Sequence, residues 1–368
     1  MKILVTGANG FIGKNLCCRL KEKNHDVFEF TRKNNLEDLK ESVSKVDFIF
    51  HLAGVNRPED DKQFTEDNID FTRILFEELN HQNKSIGVLI TSSTQAHQKN
   101  AYGLSKLQAE NIALDLSGSS NVNPIIYRLP NVFGKWCRPN YNSVVATFAY
   151  NIANDLPIEI HDKDAIIELV YIDDVCNEFI RAIDSDKDGS AYKKIEPSYK
   201  ISLGGLADLI KAFKESRNNK IIEKVGAGLS RALYATYLSY LPKELFDYSL
   251  LGHEDNRGKF IEILKTKDSG QFSFFTAHPG VTRGDHYHHT KNEKFLVISG
   301  KANFKFKHQI TGETHEIKAS QDKFQIIESI PGWSHNITNI GETILHVFLW
   351  SNEIFDEENP DTVMSKIL

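Results

Sequence analysis

The first thirteen residues constrain the fold of this chain more than any other segment. Lys2–Val5 is an apolar strand, Gly7–Gly13 is a glycine-rich turn, and Asn15–Glu22 begins a helix. The G-x-x-G-x-x-G spacing lets the backbone approach a pyrophosphate at the start of a helix, where unpaired N–H groups and the helix dipole favour anions. The strand–turn–helix order therefore predicts a dinucleotide-binding βαβ unit.

Length and composition exclude several classes of protein. A chain of 368 residues is long enough for two cores. A net charge of −6 and a pI near 6.2 leave no electrostatic footprint for nucleic acid or an anionic membrane. No apolar run approaches the roughly 20 residues that span a bilayer, and the N-terminus lacks the pattern of a secretory signal. Of the four cysteines, Cys17 and Cys18 are adjacent and none lies in the histidine-rich last third of the chain, which predicts neither a disulfide framework nor a thiolate metal site, so we expect a soluble cytoplasmic protein.

The end of the second strand bears on the choice of cofactor. NAD sites usually present Asp or Glu after this strand, to bond the ribose 2′-hydroxyl. Here Asp26–Phe30 is followed by Thr31, Arg32 and Lys33. A pair of cations without a carboxylate suits a 2′-phosphate and favours NADPH. The alternative is that the two cations belong to an ordinary solvated loop.

A tyrosine and a lysine are placed for proton transfer. Tyr102 and Lys106 are four residues apart in a predicted helix, so they lie on one face, and the buried strand Val88–Ser93 ends in hydroxyls just before them. A lysine ammonium beside a phenol is expected to lower the phenol pKa. The phenol could then exchange a proton with a substrate carbonyl while a nicotinamide exchanges hydride. Without further motifs, a tyrosine and a lysine at this spacing are as often ordinary surface residues as a catalytic pair.

Several motifs together resemble the extended short-chain dehydrogenase/reductase family, whose members act on nucleotide sugars. The resemblance covers roughly residues 1–240. It rests on TGANGFIG at the glycine turn, HLAG at 51–54, the Tyr102/Lys106 pair, RLPNVFG at 128–134 and LVYIDDV at 169–175. It implies an α/β Rossmann fold and a nicotinamide reductase.

The resemblance also implies which residues form the reductase site. Ser93, Tyr102 and Lys106 would be catalytic, although Ser92 and Thr94 compete with Ser93 because only eight residues separate it from Tyr102. The cofactor would be held by Gly7, Asn9, Gly10, Phe11, Ile12, Gly13, Arg32, Leu52, Ala53, Gly54, Tyr102 and Lys106. Asn131 would approach the nicotinamide and substrate, and Arg138 and Asn140 would hold a nucleotide diphosphate. An ordinary surface loop explains the last two equally well.

The last third of the chain has a different chemistry. Nine of its fourteen histidines lie at or beyond His253, and helical periodicity gives way to alternating strands near residue 245. We therefore predict a reductase domain over 1–245 and a second domain over 246–368. Within Gly280–Gly300, His286 and His288 project from one face of a strand, Glu293 follows, and His335 comes later. Three imidazoles and a carboxylate suit zinc, with nickel, iron(II) or manganese as alternatives.

The spacing of these ligands resembles the cupin superfamily, which implies an all-β barrel. Gly280-x5-His286-x-His288-x4-Glu293-x6-Gly300 matches the first cupin motif, and Gly332-x2-His335-x3-Asn339 matches a looser second one. Short alternating strands separated by turn residues agree with this fold. The metal could be catalytic, or it could be a structural zinc with all four positions filled by protein.

A second resemblance overlies the cupin motif. DNRGKFIE at 255–262 and GVTRGDH at 280–286 are similar to the 3- and 3,5-epimerases of deoxynucleotide 4-keto-sugars. That similarity implies that Arg257 and Arg283 grip a diphosphate. In those enzymes the histidine at the position of His286 is the base, whereas here it also fits the first metal position. The base is therefore open among Tyr287, His289, Lys291 and His346.

The whole chain resembles the bifunctional enzymes of capsular polysaccharide biosynthesis. The resemblance implies a UDP-linked 4-keto-6-deoxy-N-acetylhexosamine as substrate, inversion at C3 in the cupin domain, and then reduction at C4 with NADPH. The product would be UDP-N-acetyl-6-deoxytalosamine, toward N-acetyl-L-fucosamine, and the resemblance implies a homodimer. The alternatives are a single-step reductase whose cupin is a zinc-stabilised sugar-binding or dimerising module, and a dioxygenase cupin, which the two epimerase-like segments disfavour.

Overall fold

A computed structural model gives the architecture of the chain. It describes residues 1–58, 60–117, 122–184, 191–250, 252–255, 258–261, 264–266, 270–353 and 358–367. The chain divides into two compact units, of which the first comprises Met1–Ser143 and Ile167–Lys200 and the second Val144–Ile166 and Ile201–Leu368. Each unit is discontinuous in sequence.

Strands and helices alternate up to residue 117. In chain order the elements are β1 (Lys2–Thr6), α1 (Phe11–Glu22), β2 (Asp26–Phe30), α2 (Leu36–Lys45), β3 (Phe48–His51), a π-helical turn (Phe64–Asp70), α3 (Phe71–His81), β4 (Gly87–Ser93), a 3₁₀ turn (Thr94–His97) and α4 (Ala101–Ser117). α1 begins four residues earlier than expected, directly after its extended N-cap residue Gly10. Alternating elements of this kind predict a parallel sheet.

The chain then completes that sheet and adds further helices. The elements are β5 (Asn123–Leu129), β6 (Asn131–Phe133), α5 (Val144–Ala153), β7 (Ile166–Tyr171), α6 (Ile172–Ala182), β8 (Tyr192–Lys193), β9 (Tyr199–Ser202), α7 (Leu203–Asn219), β10 (Ile221–Ile222), α8 (Gly228–Leu238) and a 3₁₀ turn (Lys243–Leu245). The large sheet has the order β2-β1-β3-β4-β5-β8, and every pair in it is parallel.

Burial follows from helices covering both faces of this sheet. β3 is buried throughout, and β1 and β4 are buried except at their first residues. Parallel strands covered on both faces read as continuous apolar runs rather than alternating ones. Leu4, Ile49 and Val88 from these three strands meet Leu75 and Phe76 of α3 in one core. The first unit is therefore a Rossmann-like domain, as the sequence predicted.

The second unit contains α5, α7, α8 and a set of strands, most of which pair antiparallel. Those strands are β11 (Asp247–Ser249), β12 (Gly252–Asp255), β13 (Gly258–Ile261), β14 (Lys265–Thr266), β15 (Gln271–Ala277), β16 (Thr282–Tyr287), β17 (Glu293–Ser299), β18 (Lys301–His308), β19 (Thr314–Ser320), β20 (Gln325–Glu328), β21 (Trp333–Asn339), β22 (Leu345–Ser351) and β23 (Val363–Met364).

Ten of these strands build two five-stranded sheets. One has the order β11-β20-β17-β22-β15 and the other β19-β18-β21-β16-β23, with antiparallel pairing throughout. Along β18, Ala302, Phe304 and Phe306 are buried and alternate with more exposed residues, as expected when one face of a strand packs inward. This arrangement confirms the predicted all-β cupin-type domain.

Helices give way to mostly antiparallel strands between α8 and β11. The domain boundary near residue 245 stays a prediction. In the part of the chain that the structure describes, no helix is both long enough and apolar enough to cross a membrane.

Candidate functional sites

Two turns meet where the strand order of the parallel sheet reverses. β1 lies between β2 and β3, so the turns after β1 and β3 come together at the edge where such sheets bind ligands. Gly7 has φ +67°, and a Cβ on it would lie 2.8 Å from the Ala53 nitrogen. A Cβ on Gly13 would lie 2.2 Å from the Gly7 carbonyl oxygen. Only glycine permits this approach, and no side chain caps α1 among the described residues, so its first N–H groups can meet an anion.

A buried histidine fixes the second of these turns. The two His51 ring nitrogens contact Thr6 Oγ1 at 2.8 Å and Thr72 Oγ1 at 2.9 Å, and the Ala53 N–H donates to Thr6 Oγ1 at 3.2 Å. Burial, followed by the charge of Lys106, lowers the pKa of His51 to about 3. His51 is therefore a neutral ring that orients the 51–54 turn. A Cβ on Gly54 would lie 3.0 Å from Lys106 Nζ, which places this turn beside α4.

The predicted cofactor residues occupy these two turns and the end of β2. Asn9 and Gly10 connect β1 to α1, Phe11 and Ile12 are the first two residues of α1, and Leu52, Ala53 and Gly54 follow β3. Arg32 follows β2 and is highly exposed. Its Nη2 lies 2.9 Å from Asp67 Oδ2. Arg32, the residue predicted to bind a 2′-phosphate, therefore forms an ion pair at the surface.

Ser93, Tyr102 and Lys106 converge at the carboxyl end of β4. Tyr102 and Lys106 lie one turn apart on α4, and Tyr102 hydrogen-bonds the Ser93 side chain. Ser93 Oγ also accepts the Gln95 N–H at 3.1 Å. Of the two competitors, Thr94 is exposed, and Ser92 Oγ is buried with no hydrogen-bond partner among the described residues. Geometry thus brings Ser93, rather than Ser92 or Thr94, to the phenol.

The electrostatics of this group differ from the sequence expectation. Burial raises the pKa of Tyr102, and the hydrogen bond from Ser93 only partly opposes this effect. Burial lowers the pKa of Lys106 to about 8, with the charge of Glu110 acting in the other direction. The prediction that Lys106 lowers the phenol pKa is therefore wrong for this state, because desolvation of the phenol dominates. Tyr102 is a neutral proton donor at pH 7.

A cleft opens beside the phenol. It has a volume of about 320 Å³ and is lined by Asn56, Phe64, Gln95, Asn100, Ala101, Tyr102 and Asn142. The centres of the Phe64 and Tyr102 rings lie 5.9 Å apart, and four of the seven lining residues carry side-chain amides. Asn100 also caps the start of α4, since its Oδ1 accepts the Gly103 N–H at 2.7 Å. Amides around a neutral phenol suit a polar, uncharged substrate group.

The predicted substrate residues are found in different settings. Asn131 donates from Nδ2 to the Glu168 carbonyl at 3.0 Å, and the Arg138 guanidinium lies 5.1 Å from the centre of the Tyr141 ring. Asn140 is exposed in the same loop with φ +53°. Arg283 lies on β16, with its guanidinium 5.3 Å from the centre of the Phe275 ring and Nη1 3.2 Å from the Thr276 carbonyl. Arg257 lies outside the described residues.

The four predicted metal ligands form one cluster in the second unit. His286, His288, Glu293 and His335 offer ligand atoms that all lie within 4.8 Å of one another. His288 Nε2 and His335 Nε2 each lie 3.2 Å from Glu293 Oε2. The strand period explains the placement, since His286 and His288 share a face of the chain and His286 pairs with His335 between β16 and β21.

The protonation of this cluster fits a divalent metal ion. Burial, then the charges of His335 and His288, lower the pKa of His286 to about 4, and burial lowers that of His335. Burial opposes charge on His288 and Glu293, but their mutual hydrogen bond raises the pKa of His288 and helps hold that of Glu293 well below its usual range. Two neutral imidazoles, a third imidazole and a carboxylate are a donor set that zinc accepts. Metal would replace the proton shared by His288 and Glu293.

The four candidates for the epimerisation base are not equivalent. Lys291 is buried, with Nζ 3.3 Å from Glu293 Oε1, so it reaches the ligand cluster. Tyr287 and His289 contact each other with ring centres 5.3 Å apart, at positions that alternate with the ligands His286 and His288. His346 contacts the exposed Phe274 on β15, with ring centres 5.7 Å apart.

Sequence reasoning missed one residue at the metal cluster. Asp361 accepts hydrogen bonds from the backbone of the turn between His288 and Glu293, and its carbonyl contacts the His288 Nδ1. Burial alone would raise its pKa, but the charges of His289 and His288 and these backbone bonds hold the pKa of Asp361 well below its usual range. Nothing in the local sequence around Asp361 signals this contact.

Comparison with known proteins matches both halves of the chain. A family model described as NAD dependent epimerase/dehydratase family matches residues 3–196, and a model described as polysaccharide biosynthesis C-terminal domain matches residues 253–363. The Pseudomonas aeruginosa protein named UDP-2-acetamido-2,6-beta-L-arabino-hexul-4-ose reductase is 52% identical over 363 residues, which are 98% of each chain.

Solved structures give the same result. The crystal structure of the capsular polysaccharide assembling protein CapF from Staphylococcus aureus is 41% identical, covers 100% of both chains and has a TM-score of 0.68. The UDP-glucuronic acid 4-epimerase from Bacillus cereus in complex with NAD is 21% identical, covers 58% of this chain and 84% of its own, and has a TM-score of 0.53, which shows a shared fold. This chain therefore belongs to the NAD dependent epimerase/dehydratase family, with a polysaccharide biosynthesis C-terminal domain attached.

Proposed function

We propose that this chain is a bifunctional nucleotide-sugar enzyme with two sites. Its cupin domain inverts C3 of a UDP-linked 4-keto-6-deoxy-N-acetylhexosamine, and its Rossmann domain then reduces the C4 ketone with NADPH. The product is UDP-N-acetyl-6-deoxytalosamine, toward N-acetyl-L-fucosamine for a surface polysaccharide. The observation that carries the reductase step is the neutral Tyr102 phenol, which is hydrogen-bonded to Ser93 and lies one helical turn from the buried Lys106. The name of the 52% identical relative supports the substrate class.

Reduction needs a hydride and a proton. The nicotinamide, held by the glycine turn and the 51–54 turn, supplies the hydride when it is bound. Ser93 hydrogen-bonds the ketone oxygen, and Tyr102 donates its proton to that oxygen as it gains negative charge. The Lys106 ammonium then stabilises the phenolate left on Tyr102. Asn131, Arg138 and Asn140 are assigned to the substrate in this proposal.

The preference for NADPH rests on Arg32. No acidic residue directly follows β2, whereas Arg32 stands there with an exposed guanidinium that can bond a 2′-phosphate. The carboxylate nearest to it is Asp67, which pairs with Arg32 and would give way to a phosphate of higher charge.

The cupin step must come first, because reduction removes the ketone that makes the C3 proton acidic. His286, His288, Glu293 and His335 would hold one divalent ion, most simply zinc, which when bound supplies Lewis acidity to the sugar carbonyl. Arg257 and Arg283 are assigned to the substrate diphosphate. This proposal divides the chain into a reductase domain over 1–245 and a cupin domain over 246–368.

One incubation in D2O tests both steps. The purified chain, the UDP-linked 4-keto sugar and NADPH are combined, and proton NMR locates deuterium in the product. We expect a 4-hydroxyl together with deuterium at an inverted C3. A 4-hydroxyl product with protium retained at C3 would remove the epimerase activity and leave a reductase.

The second candidate is a single-step reductase whose cupin is a zinc-stabilised sugar-binding or dimerising module. Four protein ligands within 4.8 Å of one another favour it, because a filled tetrahedral site leaves no open position for substrate. His286→Ala separates the two candidates. Loss of C3 exchange with intact reduction of the already epimerised ketone supports two active sites, and loss of folding or of a homodimer by size-exclusion chromatography supports the module.

A further inference from the structure

The segment from Asp361 to Ile367, here called the C-terminal segment, lies against β16, the strand that carries the proposed metal ligand His286. Its strand β23 pairs with β16, placing Met364 opposite His286 and Val363 opposite Tyr287. The Ser365 N–H donates to the Asp285 carbonyl at 2.7 Å, which continues the contact along the strand. The first ligands of the cupin motif are therefore held from outside by residues near the end of the chain.

The Asp361 side chain ties down the turn that joins His288 to Glu293. Oδ1 accepts the His289 N–H at 2.9 Å, and Oδ2 accepts the Thr290 and Lys291 N–H groups, each at 2.7 Å. Oδ2 also accepts the Thr290 hydroxyl at 3.0 Å. An ionised carboxylate that receives several donors in this way makes strong, geometrically defined bonds. The turn thus has a fixed shape, and that shape sets the separation of the two ligands.

The Asp361 main chain acts on the same site in a second way. Its carbonyl oxygen contacts His288 Nδ1, so Nδ1 carries the proton and Nε2 is the nitrogen directed at Glu293. Metal-bound histidines usually donate their other N–H to a carbonyl or carboxylate, which fixes the ring and its tautomer. In contrast, His335 Nδ1 meets no hydrogen-bond partner among the described residues.

We propose that Asp361 is a positioning residue of the metal site, and that the C-terminal segment is needed for tight metal binding by the cupin domain. This inference rests on the proposed metal site. Asp361 does not belong to the ligand cluster itself. It acts through the turn and through the tautomer of His288, and removing such an outer partner is expected to weaken metal binding by about 10–100-fold.

The test compares Asp361→Asn with the wild type in the full-length chain. The probe is zinc, and the readouts are zinc content after dialysis and zinc affinity by competition with a chromophoric chelator. We expect wild type to bind one zinc per chain and Asp361→Asn to bind it 10–100-fold more weakly. An amide can accept at one position only, so its NH₂ group faces N–H donors. Asp322→Asn is the matched control, because Asp322 is an exposed carboxylate in the same unit.

Thr290→Val is a milder second variant that keeps the turn backbone and the buried volume while removing one bond to Asp361. We expect a loss of zinc affinity of a few-fold. The rise in melting temperature on adding zinc separates positioning from general stability, since Asp361→Asn should gain less than wild type. Equal zinc affinity in Asp361→Asn and wild type would overturn the inference while leaving the metal site intact. A wild type that binds no zinc would overturn the metal site itself and the inference with it.

Discussion

Both units bury lysines, and the surroundings of Lys106 in the first unit and Lys294 in the second differ. Lys106 on α4 is 9% exposed, and its Nζ donates to the Thr91 carbonyl at 3.3 Å, with no ion pair among the described residues. Lys294 on β17 is 5% exposed and forms an ion pair with Glu328. Burial lowers the pKa of Lys106 to about 8, whereas the charge of Glu328 outweighs burial and raises the pKa of Lys294.

We expect the ammonium of Lys106 to serve catalysis and that of Lys294 to serve stability. A buried ammonium without a carboxylate is unfavourable in the folded state, and such groups are concentrated at functional sites. Glu328 is shared by Lys294 and by Arg217 of α7, which makes a compensated network with Tyr248 beside both cations. Lys106 should therefore matter for turnover and Glu328 for stability.

The largest expected effect comes from Lys106→Met. Removing the ammonium that supports Tyr102 should lower the turnover number for ketone reduction by about 10²–10⁴-fold. The melting temperature should stay the same or rise, because an uncompensated buried charge is lost. NADPH oxidation at 340 nm and thermal unfolding measure the two quantities. Lys305→Met, at a half-exposed lysine, is the control. If Lys106→Met loses stability but keeps turnover, the comparison between the two buried lysines fails.

Glu328→Gln should give the opposite result. It leaves Arg217 and Lys294 buried without a carboxylate, which costs about 3–5 kcal/mol of unfolding free energy. Urea unfolding followed by circular dichroism measures the loss, and reduction should persist at temperatures where the chain stays folded. Glu316→Gln is the matched control, since Glu316 pairs with Lys305 at the surface. Equal losses in the two variants would show that the buried network has no special role.

The exposed pair of Arg32 and Asp67 sharpens the comparison as a third case. Surface ion pairs contribute little to stability, so Asp67→Asn should leave the melting temperature unchanged while lowering the KM for NADPH a few-fold. Arg32→Ala should raise the KM for NADPH by about tenfold through loss of charged hydrogen bonds. The KM for NADH is the internal reference, and a parallel change in both KM values would argue against a 2′-phosphate site.

Near neutral pH, the smallest effect concerns the pH dependence of the reductase. The pKa of Lys106 is lowered to about 8, so its ammonium is present below that pH and is lost above it. We expect kcat/KM for reduction to fall as the pH rises through about 8, by roughly tenfold per pH unit well above that value. The phenol of Tyr102 stays protonated there, because its pKa is raised. The residual activity of Lys106→Met should lack this descending limb.

Local spacing explains which parts of the sites could be predicted from the sequence. Tyr102 and Lys106 are four residues apart on a helix, and His286 and His288 are two apart on a strand, so the repeat of the backbone itself brings each pair together. The geometry of the glycine turn likewise depends on a few neighbouring residues. For these positions the prediction agrees with the geometry.

Contacts between distant segments leave no short-range spacing pattern in the sequence. Arg217 and Glu328 are 111 residues apart, and Asp361 meets a turn that begins 72 residues earlier. Their pairing depends on how whole strands and helices pack, which no short window of sequence contains. The direction of the pKa change at Tyr102 was predicted wrongly for the same reason, because it depends on burial by tertiary contacts.

The shared Glu328 has a consequence for how such a protein could be assembled by recombination of genes. Its two cations come from α7, far upstream, and from β17, inside the cupin sheets. A crossover at the helix-to-strand change would keep Lys294 and Glu328 together but separate both from Arg217, so that a foreign residue would face Glu328 from the helix. Exchange of the cupin between relatives should therefore succeed only when the donor segment includes its own α7 or the recipient already has an arginine at the position of Arg217.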